Sequence, residues 1–319
     1  MKARARPDAT RMKAQGNNNW ELKMSHIRKT LSATIVSVLA TGAAHADTLD
    51  KIRETGTLTL GFRESSIPFS YLGADQQPVG LSIDLCNAVA EKVKSELSLP
   101  DLTVKFVAVN ASNRIPLIQN ETVDLECGST TNTAARQEQV AFSVATFASE
   151  TSWLVREDSE IKKEDDLQGK TVVITQGSLN LQVGSDLNAE KELNLTIIQG
   201  KEQAESLLLL RTERASAWFE DNILQAGLVA NSPDPTALRF VPSSYEVASY
   251  YGLMFRKDDP AFKELVDGVI VEKMQSGEFE NLYNTWFTQP IPPNGQNLNL
   301  PMSAAMQARV AHPSDALTP

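Results

Sequence analysis

The apolar positions of the chain change their period in a regular order. Leu58–Phe62 is a β-prone run, and Leu81, Leu85, Ala88, Val89 and Val93 then recur at helical spacing within a stretch from Leu81 to Leu97. The strand Val104–Val109, a short helix around Ile115–Gln119 and the strand Val123–Cys127 follow. The same order of strand, helix, strand, helix, strand returns with Thr171–Thr175, a helical stretch after Gly177, Leu195–Ile198, a helix Glu202–Glu213 and Ala215–Phe219. About 240 residues between Asp47 and Phe287 are enough for one large domain or two small ones, and this repetition favours two, predicting an α/β fold of two parallel-sheet lobes.

One more strand, Tyr250–Phe255, precedes a helix with Phe262, Leu265, Val266, Val269 and Ile270 at spacings of three and four. That helix needs a sheet to rest on. Its return to the first lobe makes the chain cross twice, near residues 143–150 and 243–250, and two crossings form a hinge. The predicted division is 47–145 with 250–288 in lobe 1 and 146–249 in lobe 2. Residues 289–319, rich in Pro and Asn, form a tail either laid over the surface or disordered.

Ahead of this pattern, Arg28 and Lys29 precede the apolar, small-residue run Leu31–Ala46, which ends in Ala44-His45-Ala46. Residues 24–46 read as a secretory signal peptide cleaved before Asp47, the run being shorter than the roughly 20 residues of a membrane-spanning helix. Residues 1–23 are a polar, basic extension outside the fold, and Met24 is a second candidate start. The expected destination is the periplasm. No Cys follows the signal, so no lipid anchor is expected.

The first 46 residues carry eight of the 30 basic side chains and two of the 40 acidic ones, so the remainder has a formal charge of −16 against −10 for the whole chain. That balance excludes nucleic acid and anionic membrane as natural partners. Of the three histidines, His26 and His45 fall in the leader and only His312 remains. A Ser-His triad or a His-ligated metal site has no material, and neither metal nor cofactor is expected. Cys86 and Cys127 are the two thiols, open to a single disulfide in an oxidising compartment or to two buried free cysteines.

Three arginines stand at strand ends or helix starts: Arg63 after Leu58–Phe62, Arg114 after Val104–Val109, and Arg136 beyond Cys127. Ligands of open α/β sheets bind at such strand ends, and the planar guanidinium matches a carboxylate two donors to two acceptors. Arg136 follows the turn Gly128-Ser129-Thr130-Thr131, which supplies free amides and hydroxyls. On lobe 2, Asp221 lies just past the strand Ala215–Phe219 and opposes these cations, although an acid there also suits a helix N-terminus.

From Thr48 to the tail the chain resembles the glutamate/aspartate-binding proteins that serve ABC transporters in the bacterial periplasm, of solute-binding protein family 3. The resemblance rests on GFRESSIPFSY (61–71), NRIPLIQN (113–120), ECGSTTN (126–132) followed by Arg136, RKDDP (256–260) and WFTQPIPPN (286–294), in one order over nearly the whole chain after the leader. It implies a periplasmic-binding-protein-like fold whose lobes close on the ligand across a two-strand hinge. By the same resemblance Arg136 binds the ligand's α-carboxylate, Ser129, Thr131 and Asp221 hold its ammonium, and Arg63 and Arg114 take the side-chain carboxylate, with Ser178 and Gln203 contributed by lobe 2. A dicarboxylic amino acid entering a partly dry cleft needs such cationic forks and one anion.

Three positions depart from the family pattern near the side-chain end. Ala111 stands in place of a Ser, Leu179 in place of a Thr, and Gln203 in place of a His. Gln203 offers only a neutral hydrogen bond, which opens weaker binding, an altered Glu/Asp preference, or tolerance of Asn and Gln. The implied partners are a small amino-acid ligand and an ABC permease, with a monomer as the default state. Two other classes stand beside this reading: a periplasmic enzyme of dehydratase or lytic type using Glu220 and Asp221, and a ligand sensor for a membrane receptor. Adjacent strand residues point to opposite faces, which weighs against Glu220 and Asp221 sharing one substrate atom.

Overall fold

A computed structural model describes residues 47–245 and 247–318, so the extension 1–23 and the signal segment 24–46 lie outside the described residues. Helix α1 (Thr48–Thr55) leads into β1 (Thr57–Phe62), the short strands β2 (Ser65–Ser66), β3 (Ser70–Leu72) and β4 (Pro78–Val79), and helix α2 (Leu81–Glu96). Then come β5 (Thr103–Ala108), α3 (Arg114–Gln119), β6 (Leu125–Cys127), α4 (Ala134–Gln137), β7 (Val140–Phe142), β8 (Phe147–Ser149) and β9 (Thr151–Arg156). The second half holds β10 (Thr171–Thr175), α5 (Leu179–Glu190), β11 (Thr196–Gly200), α6 (Gln203–Arg211), β12 (Ala217–Asp221), α7 (Asn222–Ala230) and β13 (Leu238–Pro242). The chain ends with β14 (Ser249–Tyr251), β15 (Met254–Arg256), α8 (Pro260–Ser276), α9 (Glu278–Phe287) and α10 (Ala304–Ala311).

Two five-stranded sheets form two α/β lobes, one in the order β5-β1-β6-β15-β7 and the other β11-β10-β12-β9-β13. Each is mixed rather than purely parallel. β1 pairs in parallel with β5 and β6, and β10 with β11 and β12, whereas β15 and β9 run antiparallel to both of their neighbours. The antiparallel strands are those next to the crossings, because a chain that leaves one sheet and comes back must reverse direction.

The predicted single strand Tyr250–Phe255 is in fact two. Residues Ser249–Tyr251 pair with Phe147–Ser149 in a two-stranded ribbon outside both sheets, whereas Met254–Arg256 enter the first sheet between β6 and β7. The break falls at Gly252, where a Cβ would sit 3.0 Å from the Ser143 carbonyl oxygen, so the close approach is available to a residue without a side chain.

The lobe cores follow the predicted apolar faces. Leu81, Leu85, Val89 and Val93 of α2 are buried with Phe262, Val266 and Ile270 of α8 in one cluster against the first sheet. The second sheet is covered on both faces, by Val183 and Leu187 of α5 on one side and by Leu207 and Leu210 of α6 on the other. Cys86 of α2 and Cys127 at the end of β6 form a disulfide across 41 residues of sequence, which ties the end of a sheet strand to the helix behind it.

Residues after Phe287 are ordered around α10. Arg309 lies over the ring of Tyr250, 4.3 Å from its centroid, while Ala145 donates to the Ser314 carbonyl and Asn132 to that of Asp315. Lys263 of α8 pairs with Asp315 at 2.9 Å. This segment is thereby fixed beside the β8–β14 ribbon.

Candidate functional site

In both lobes the parallel strands end at one cleft. Arg63 follows β1, Arg114 opens α3, and Ser129 and Thr131 sit in the turn after β6. Facing them, Ser178 caps α5 after β10, Gln203 begins α6 after β11, and Asp221 closes β12 ahead of α7. These seven residues line one small, nearly filled cavity, together with Asn180, Glu220 and the apolar Ala111, Leu179 and Leu224. Three helix N-termini from one lobe thus meet two strand ends and a helix start from the other, the usual placement of an anion-binding crevice in α/β folds.

The lobes touch directly around this cavity. Arg63 Nη2 donates to Glu202 at 2.6 Å and to Gln203 Oε1 at 2.8 Å, and the Ser66 hydroxyl donates to Gln203 at 3.3 Å. The Ala204 amide of α6 donates to the Ser65 hydroxyl, and the Ser112 hydroxyl to the Gln176 carbonyl. From the ribbon, the Tyr251 hydroxyl donates to Asp221. Two glycines set the approach: a Cβ on Gly177, at φ +74°, would lie 2.7 Å from the Ser112 Cα, and one on Gly227 would lie 2.3 Å from the Ile67 carbonyl oxygen. The structure is therefore a closed one.

Charge is concentrated here under little water. Arg63 is 1% exposed, Arg114 3%, and the Glu126 carboxylate beneath them is fully buried. Arg114 donates to Thr130, which in turn donates to Glu126, while the Nε atoms of Arg63 and Arg114 are buried without hydrogen-bond partners. Burial and then repulsion from Arg136 push the Arg114 guanidinium down to about 9, which leaves it charged at neutral pH. Arg136 is also lowered, first by burial, with Glu126 and Asp221 opposing the shift. Its Nη1 donates to the Thr131 carbonyl at 2.9 Å, and the side chain lies at the edge of the cavity rather than in its wall.

Asp221 is 6% exposed, and burial raises its carboxyl above the usual range despite hydrogen bonds from Tyr251 and Asn180. Glu220 goes up to about 7, first from burial and then from the neighbouring Asp221. A carboxyl raised in the folded state favours folding most below its unfolded value near 4.5, and the contribution declines as pH rises to about 7. Wild type should lose on the order of 3 kcal/mol of stability across that window through this group. Glu220→Gln should flatten the dependence, read as the slope of urea-unfolding free energy against pH. An unaltered slope would show that Glu220 ionises as readily folded as unfolded.

Strand alternation predicts opposite faces for Glu220 and Asp221, yet both line the cavity and both accept from Asn180 Nδ2. Alternation fails at this point because Asp221 is where the strand turns into α7. Asn180, Glu126 and Glu202 were also missed. Glu202 gave no local signal, since an acid directly before a helix reads as an ordinary cap, although its side chain here makes none. Among the described residues no cluster of His, Cys, Asp and Glu is arranged to hold a metal ion, and no helix is long and apolar enough to cross a membrane.

Comparison with known proteins gives the context of this geometry. The family model of bacterial extracellular solute-binding proteins, family 3, matches residues 58–289. The chain is 46% identical over 292 residues to the L-glutamate/L-aspartate-binding protein of Pseudomonas aeruginosa, covering 89% of this chain and 96% of that one. It is 42% identical to the glutamate/aspartate import solute-binding protein of Escherichia coli (strain K12), over 91% of this chain and 98% of the relative. Among solved structures, an ancestral arginine-binding protein bound to arginine superposes with a TM-score of 0.64 at 26% identity, over 73% of this chain and 98% of the other. The ancestral amino acid-binding protein AncCDT-1, a precursor of cyclohexadienyl dehydratase, gives 0.64 at 27% over 76% and 100%. With two sheet-bearing lobes closed on a cationic cleft and a match over most of its length, the chain belongs to the bacterial extracellular solute-binding proteins, family 3.

Proposed function

We propose that this protein is an extracytoplasmic receptor that captures an acidic amino acid, glutamate or aspartate, and delivers it to an ABC permease without chemical change. The observation that carries the reading is the meeting of Arg63 and Arg114 from one lobe with Asp221 from the other around one small cavity. A zwitterion can bridge the cations of one lobe and the anion of the other at once, so the ligand itself favours the closed state. The names of the Pseudomonas and Escherichia relatives support the same ligand class.

In this reading Arg136 receives the α-carboxylate, Asp221, Ser129 and Thr131 the ammonium, and Arg63 and Arg114 the distal carboxylate, with Ser178 and Gln203 completing the lobe 2 wall. Residues 47–145 and 250–288 form one lobe and 146–249 the other, with the β8–β14 ribbon as hinge and 289–319 as a tail on lobe 1. Residues 24–46 are removed on export, which delivers a periplasmic protein that works as a monomer.

Incubation of the purified protein with a mixed amino-acid pool, followed by analysis of what stays bound, tests the function. Stoichiometric unmodified glutamate or aspartate is the expected result, and a new product would reveal an enzyme. Arg114→Ala should then cost glutamate and aspartate about 1.5–3 kcal/mol more than glutamine and asparagine, because a charged hydrogen bond is lost only with the acids. Equal losses for all four in titration calorimetry would take Arg114 away from the distal carboxylate.

A further inference from the structure

Glu202 occupies a place in the cleft that the ligand scheme leaves unused. It is the residue before α6, where an acidic side chain ordinarily turns back to accept from the first helical amides. Here it makes no cap. The Ala204 amide is served instead by Ser65 of the facing lobe, and the Glu202 carboxylate reaches across to Arg63. Its side chain is 20% exposed, so it stands at the mouth of the cleft with water on one side, whereas its partner is 1% exposed.

The two hydrogens of Arg63 Nη2 are both taken, one by Glu202 at 2.6 Å and one by Gln203 at 2.8 Å. A guanidinium presents paired donors along two edges, Nε with Nη2 and Nη1 with Nη2. Both edges use Nη2. An incoming carboxylate can therefore grip Arg63 with two hydrogen bonds only by displacing a group already there. Gln203 also accepts from Ser66 and is buried, whereas Glu202 can swing into solvent and keep its charge hydrated.

Resting on the reading of the cleft as an acidic amino-acid site, we infer that Glu202 is a specificity-determining residue, a resident carboxylate that competes with the ligand's distal carboxylate for Arg63. An acidic ligand must break the Glu202 pair to bind. A ligand ending in a carboxamide brings no anion to Arg63 and leaves the pair in place. Glu202 thereby lowers affinity for glutamate and aspartate selectively and narrows their margin over glutamine and asparagine.

The test is titration calorimetry of wild type, Glu202→Gln and Glu64→Gln with L-glutamate, L-aspartate, L-glutamine and L-asparagine at one ionic strength. Glu64 is an exposed acid beside Arg63 in the sequence and controls for removal of a nearby negative charge. Glu202→Gln should tighten glutamate and aspartate about tenfold and change the two amides less than threefold, with Glu64→Gln changing none of the four by threefold. Unchanged or weaker binding of the acids by Glu202→Gln overturns the inference. So does equal tightening of the amides, or equal tightening by Glu64→Gln, either of which would mark a through-space charge effect. A wild type that binds neither glutamate nor aspartate brings down the reading of the site itself, a failure distinct from a wild type that binds them and a Glu202→Gln that gains nothing. Equal melting temperatures of the three ligand-free proteins establish that folding is not what changed.

Discussion

Asp221→Asn should reduce glutamate affinity by about 2–5 kcal/mol while leaving the ligand-free protein folded. The replacement is isosteric and keeps an oxygen to accept from Tyr251 or Asn180, so the local packing survives. What it removes is the anion. Asp221 is 6% exposed and sits against arginines whose charge it helps to balance. A ligand ammonium brought into that position would be buried without its contacting carboxylate, and the three guanidiniums would repel it. The sensitive measurement is the rise in melting temperature on adding glutamate, which wild type should show and Asp221→Asn should lose. A full ligand-induced shift in the variant would place the ammonium elsewhere.

Arg136→Ala is expected to cost binding by a similar amount, about 2–5 kcal/mol, because the α-carboxylate would be buried without its partner. The position of Arg136 is consistent with that role although it borders the cavity. The α-carboxylate and α-ammonium of an amino acid share one carbon, so their receptors must be near neighbours. The charge of Asp221 is felt at Arg136, and that of Arg136 at Asp221. The loss should be the same for glutamate, aspartate, glutamine and asparagine, since all four carry the α-carboxylate, in contrast to the ligand-dependent loss at Arg114. Near-unchanged glutamate affinity in calorimetry would remove Arg136 from the site.

The α/β order and the return of the chain to its first lobe were legible in the sequence because they rest on apolar periodicity, which is local. Leu81 to Val93 and Phe262 to Ile270 mark buried helix faces whatever lies beyond them. The break at Gly252 was not legible, because nothing in Tyr250–Phe255 itself shows that its two halves pair with different partners. Among the residues lining the cavity, Arg63, Arg114 and Asp221 were legible because they stand at strand ends or a helix start. Glu126 did not: its meaning comes from lying buried under Arg114 and Thr130, a relation that only tertiary structure creates. Glu202 was hidden for the opposite reason, since an acid before a helix has an ordinary local explanation that its side chain here declines.

The glycines at the lobe boundary bear on how much the cleft can adapt. At Gly177 and Gly227 one main chain rests almost directly on another, and peptide planes have no rotamers to yield. Closure then ends at a hard stop fixed by the polypeptide itself, independent of the cargo. In the proposed function, aspartate, one methylene shorter than glutamate, would not be accommodated by shutting the jaw further. The difference in length must be made up inside the cavity, by a water molecule or by the reach of a side chain.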